Sequence, residues 1–96
     1  MKHALLFLTL AACLATALPV AAADCFADYK AKQDDPLRLH YGVAQVRGEC
    51  TATAARAELA ARLAAAGWTL LNVLSVFGPE GLEERKADAG PYYLRY

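Results

Sequence analysis

Residues 51–77, TATAARAELAARLAAAGWTLLNVLSVF, hold two patterns of different period, and the switch between them decides the fold. Over 51–66, nine of sixteen residues are alanine and neither Gly nor Pro interrupts. Alanine loses no side-chain entropy in a helix, so this run predicts one. Thr51 stands where an N-cap hydroxyl belongs, and Gly67 where a chain leaves a helix. Ala55, Leu59, Leu63 and Ala66 recur as a narrow apolar stripe. Arg56, Glu58 and Arg62 lie off it, and Glu58 precedes Arg62 by one helical turn, a favourable pairing. The small side chains suit close packing on a sheet. From Trp68 to Phe77 both alternating sets are apolar, apart from Asn72 and Ser75, which predicts a central strand.

Toward the N-terminus, residues 37–47 (LRLHYGVAQVR) alternate, with Leu37, Leu39, Tyr41 and Val43 on one side and Arg38 and His40 on the other. This predicts a half-buried strand with a bend or bulge at Gly42. Residues 24–35 (DCFADYKAKQDD) are polar, and Phe26 and Tyr29 lie three apart. That spacing predicts a short helix, opened by Asp24 and stopped at Asp34-Asp35-Pro36. Toward the C-terminus, Gly78-Pro79-Glu80-Gly81 is a turn, 82–89 a charged loop with at most one helical turn, and Tyr92–Tyr96 a last short strand. A strand–helix–strand step crosses to a parallel neighbour, and the last strand can return antiparallel. The expectation is one small α+β domain over 24–96. It has a three-stranded sheet, the long Ala-rich helix on one face, a short N-terminal helix and one disulfide.

Residues 1–23 read as an address. A short basic start precedes the apolar run Ala4–Leu18, then Pro19, then Ala21-Ala22-Ala23. This is the pattern of a secretory signal peptide cleaved between Ala23 and Asp24. Two other readings of the segment stand beside it. Leu10-Ala11-Ala12-Cys13 matches a lipobox, which would anchor an envelope protein through a lipid on Cys13. An uncleaved anchor is the other, although Pro19 and the alanines argue against it. The expected location is periplasmic or secreted, with membrane contact only through the signal peptide before cleavage. Export leaves two cysteines, Cys25 and Cys50, an even count in an oxidising compartment that predicts one bridge.

The chain has 96 residues, with ten basic and ten acidic side chains. That size and balance exclude a multidomain enzyme and a strongly basic nucleic-acid binder, so no nucleic-acid partner is expected. Residues 24–96 contain one His, one Ser and one Asn. A Ser-His-Asp arrangement would need His40, Ser75 and a carboxylate to meet, and Ser75 reads more simply as a small residue within a strand. A lone His40 with oxidised cysteines makes no ordinary zinc site, so no metal and no cofactor are expected. His40 could still titrate or touch a ligand. Glu80, Glu83, Glu84 and Asp88 lack the order of a calcium loop, and Arg85 and Lys86 interleave positive charge. Glu80, Glu83, Glu84, Arg85 and Lys86 nonetheless make a long connection that could serve as a recognition loop. Tyr41, Trp68, Tyr92, Tyr93 and Tyr96 form a candidate interaction surface.

The run Ala66-Gly67-Trp68-Thr69-Leu70-Leu71, with Tyr92-Tyr93-Leu94-Arg95-Tyr96, resembles a bacterial domain of unknown function with a strand–helix–Gly-Trp–strand–strand layout. Asp34–Val43 and Phe77–Leu82 are similar to stretches of small secreted proteins of Gram-negative bacteria. The resemblance implies the same fold and a periplasmic setting, and carries over no active-site residue. A sheet apolar on both faces with one long helix leaves a face to cover. Either residues 24–35 close it, or a protein partner or second copy does. The expected function is therefore a small non-enzymatic periplasmic domain acting through protein contacts. A small-molecule or minor enzymatic pocket near His40, Tyr41 and Trp68 is the alternative.

Overall fold

A computed structural model of the chain describes residues 24–96. The signal-peptide, lipobox and cleavage readings at residues 1–23, Cys13 and Ala23 lie outside the described residues. The element order is β1 (Cys25–Gln33), β2 (Arg38–Val46), α1 (Ala52–Ala65), β3 (Thr69–Phe77) and α2 (Glu83–Ala89), with single 3-10 turns at Pro79–Gly81 and Gly90–Tyr92. The sheet order is β2-β1-β3, and β1 is antiparallel to both neighbours. The domain is α+β, with a disulfide between Cys25 and Cys50.

Residues 24–35 do not form the expected helix. They supply the central strand. Period two holds throughout β1, where Cys25, Ala27, Tyr29 and Ala31 face one core and Phe26 faces the other. The spacing of Phe26 and Tyr29 suggested a helix face, but the two side chains point to opposite sides of a sheet. Alanines 27 and 31 favour strands poorly by themselves. Here they are fully buried, where small residues let α1 approach the sheet.

The central position expected for Trp68–Phe77 is also corrected, because β3 is an edge. Since β2 and β3 each run antiparallel to β1, they are parallel to one another, and the β2–α1–β3 step skips over a strand instead of joining neighbours. Tyr92–Tyr96 is no strand. It turns after Gly90 and touches β2 through a single parallel bridge, Val43 to Tyr93. The disulfide ties the start of the central strand, not a helix, to the segment before α1.

Local chemistry sets the bounds of α1. Thr51 Oγ1 accepts from Ala54 N at 3.1 Å. At the other end Gly67, at φ 87°, takes the left-handed conformation that glycine adopts without steric cost. Ala55, Leu59 and Leu63 are fully buried against β1, β2 and Trp68. The two leucines stabilise the fold by about 2 kcal/mol each. Glu58 accepts from the backbone N–H groups of Arg47 and Gly48 and pairs with Arg62 at 2.7 Å, which pins the exit of β2 to the helix.

The second face of the sheet has its own small core. Phe26, Val43 and Ala89 are buried there, with Tyr41, Phe77, Leu82 and Tyr93 packed around them. The segment that covers this core is thus 82–93, not 24–35, and it reaches only part of the face. The stretch expected to be a loop with one helical turn is the helix α2 and the turns that flank it.

Candidate functional site

Two polar arrangements, one on each face, and an uncovered surface compete as candidate sites. On the α1 face, His40 is buried. Its Nε2 is 3.0 Å from Tyr29 Oη. The Tyr92 ring stacks on the imidazole, with centroids 3.8 Å apart and planes 11° from parallel. Trp68 meets it edge-on at 4.3 Å. Nδ1 has no hydrogen-bond partner among the described residues. Burial pushes the imidazole below its ordinary value and the Tyr29 phenol above its own. Gly42 lies beneath the Tyr29 ring so closely that a Cβ there would come within 2.5 Å of it. The backbone of β2 thus makes room for the tyrosine that holds His40.

On the other face, Asp28 is a hub. It accepts from Ser75 Oγ at 2.6 Å, from Tyr41 Oη at 2.8 Å and from Arg85 Nε at 3.1 Å. Burial alone would raise this carboxyl. The three hydrogen bonds and the Arg85 charge outweigh it and hold Asp28 below the ordinary carboxylate range. Tyr41 is pushed up to about 12 by burial, by its bond to Asp28 and by that negative charge. Arg85 also lies over the Phe77 ring, 4.0 Å from its centroid, and donates to the Gly81 carbonyl. The hub joins β1, β2, β3 and α2, and that geometry is structural. Ser75 and His40 sit on opposite faces, so the Ser-His-carboxylate arrangement does not assemble.

The uncovered surface is the remaining half of the second face. Strand register sets Lys30 beside Tyr41 and Asn72, and Lys32 beside Leu39 and Thr69, beyond the reach of the small core at Phe26. Leu39 is 67% exposed and Leu71 45%. A cavity of about 230 Å³ opens here, lined by Lys30, Ala31, Leu39, His40, Tyr41 and Leu71. The pleat alternates sides, so Lys30, Leu39 and Tyr41 stand as its walls while Ala31 and His40 belong to the opposite side at that level. Leu37, at the tip of the β1–β2 hairpin, is 65% exposed as well.

The expected aromatic surface is divided between the faces. Trp68, Tyr92 and Tyr96 pack on the α1 side, where the Tyr96 hydroxyl accepts from Arg62 Nε at 2.7 Å. Tyr41 and Tyr93 pack on the other. In the expected recognition loop, Glu80, Glu83, Glu84 and Lys86 are exposed, while Arg85 turns inward to Asp28. Sequence reasoning missed Asp28 and Lys30, because a helical reading of 24–35 gives no reason to set them on one sheet face. It placed Leu39 on the Tyr41 side but took that side as buried. Among the described residues no three His, Cys, Asp or Glu side chains cluster as metal ligands. No family, curated protein or solved structure matches the chain.

Proposed function

We propose that this chain is a small non-enzymatic, exported domain that works by holding a protein partner on the uncovered half of its second sheet face. One observation carries the reading. Leu39 and Leu71 stand exposed around a cavity with a lysine at its wall. Exposed apolar groups gathered in one place mark contact sites more often than scattered ones do. The size of the cavity favours a protein over a free small molecule. Its volume of about 230 Å³ falls below the roughly 300–1,000 Å³ of ordinary ligand pockets and suits one or two apolar side chains offered by a partner. The disulfide and the lack, among the described residues, of a helix able to cross a membrane are compatible with an exported protein.

Site-specific photo-crosslinking in the producing cell tests this. A crosslinking residue placed at Leu39 should give a discrete adduct that disappears when Lys30 is changed to Glu. The same residue at Ala57, on the exposed side of α1, should give none. Equal labelling at both positions, or none at Leu39, would overturn the reading.

A further inference from the structure

Away from the uncovered face, residues 90–96 wrap the outer edge of β2 without belonging to a strand ladder. Tyr92 packs on the α1 side of the sheet and Tyr93 on the other. The segment is clasped at few points. Tyr93 bridges Val43, the Leu94 N–H donates to the Val43 carbonyl at 2.8 Å, and the Tyr96 hydroxyl accepts from Arg62. The clasp is strained, because Leu94 is held at φ 59°, a left-handed conformation that costs a leucine free energy. Gly90, at φ 53°, takes its own positive φ without that cost, and nothing packs where its side chain would stand.

What the segment covers is His40, under the stacked ring of Tyr92. A neutral imidazole is served by Tyr29 at Nε2 and leaves only Nδ1 without a partner. A protonated one carries an N–H at both nitrogens and a charge. The groups around it supply neither a second acceptor nor a carboxylate. β1 contributes Tyr29, the approach to β3 contributes Trp68, and the segment itself contributes Tyr92. On β2, Arg38 is exposed. Of the charges on α1, Arg56 is exposed, while Glu58 and Arg62 are joined to each other, to the end of β2 and to Tyr96. The Tyr92 ring attracts a cation by less than its lost hydration costs.

We propose that residues 90–96 are an acid-released strap: protonation of His40 swings them off the sheet about Gly90 and lays bare the outer edge of β2. Of the three rings around His40, Tyr92 is the one that can leave. Tyr29 is fully buried on the central strand, which is bonded to a neighbour on each side. Trp68 is buried, and its N–H bonds back to Leu63 of α1. Tyr92 is only partly buried, and moving it gives the charged imidazole to water, frees Leu94 from its strained φ and breaks no ladder. Acid thus acts by raising the population of the open strap, because the open form takes the proton more readily than the closed one.

Amide hydrogen exchange followed by NMR from pH 7.5 to 5, with the disulfide intact and intrinsic rates divided out, reads the result. The Leu94 amide should be less protected than that of Tyr29 throughout, because the strap opens without the sheet. Its protection should fall by up to about tenfold per pH unit below 6.5, until the folded His40 itself takes the proton. His40→Phe should leave Leu94 protection flat across the same range. Tyr92→Ala, which removes the cover and leaves the imidazole, should bring the NMR titration of the His40 ring up toward 6.5. That variant and the parent decide the matter even where His40→Phe fails to fold. Leu94 protection that ignores pH in the parent would overturn the proposal, since the segment would then open without freeing His40. Protection equal to that of Tyr29 would also overturn it, as would a pH slope kept in His40→Phe or a His40 titration unmoved by Tyr92→Ala.

Discussion

At the scale of the residue, His40 shows how burial turns an ordinary side chain into a pH-sensitive one. The groups against it are Tyr29, Trp68 and Tyr92, and none supplies a negative charge. A stacked tyrosine offers a protonated imidazole about 0.5–2 kcal/mol, while an unpaired charge out of water costs several times that. Desolvation therefore decides the direction, and His40 is depressed below 6.5 in the fold. The sign of the linkage follows. Above 6.5 both folded and unfolded chains hold a neutral imidazole. As pH falls below it the unfolded chain takes the proton first, and stability declines until the folded value is reached. Urea titrations between pH 7.5 and 5 should show this decline, at up to about 1.4 kcal/mol per pH unit. His40→Phe should flatten it. A second decline, from Asp28, belongs below its ordinary value of 3.8, because its carboxylate is stabilised in the fold. A profile that keeps the upper decline in His40→Phe would assign it elsewhere.

At the scale of the element, α2 is held by one charged side chain as much as by apolar contact. It is seven residues long, too short to be stable alone, and its capping position at Leu82 makes no side-chain hydrogen bond. Arg85 connects it to the sheet through Asp28 and covers Phe77. Both partners of this pair are largely out of water. Removing one member of such a pair strands the other, so Arg85→Ala should cost about 3 kcal/mol. Lys32 and Asp34 form a pair of the opposite kind, at 3.3 Å with Asp34 well exposed. Lys32→Ala should cost under about 0.5 kcal/mol. Chemical denaturation of the two variants side by side measures the contrast. Equal effects would show that α2 docks by its apolar residues alone.

At the scale of the whole molecule, one covalent link closes the hairpin that supplies two of the three strands. Cys25 opens the central strand and Cys50 lies 25 residues on, so the loop they close contains the whole β1–β2 hairpin. Closing a loop of that length removes about 3.5 kcal/mol of unfolded-state entropy. A domain this small buries only about 60% of its unfolded surface, so that contribution is a large share of its stability. Replacing Cys25 and Cys50 together with serine should lower the melting temperature by roughly 15–25 °C. Calorimetry of the parent and double variant, each with and without reductant, checks this. Reductant should move the parent and leave the variant in place.

By itself the sequence determined what rests on local rules. Thr51, the alanine run and Gly67 specify a helix between them because capping and propensity act within one turn. The alternation in 37–47 specifies a strand, and two cysteines in the chain after residue 23 specify a bridge. Tertiary structure decided the rest. Whether Phe26 and Tyr29 share a face depends on what lies on either side of them, and two layers made 24–33 a central strand despite its alanines. Apolar residues on both sides of 68–77 suggested a central strand, yet an edge strand packed under a helix can carry the same composition. The half-face with Lys30 and Leu39 is uncovered because α2 and its flanking turns pack at the Phe26–Val43 end of the sheet. That is a consequence of where elements end in space, and no spacing of residues along the chain encodes it.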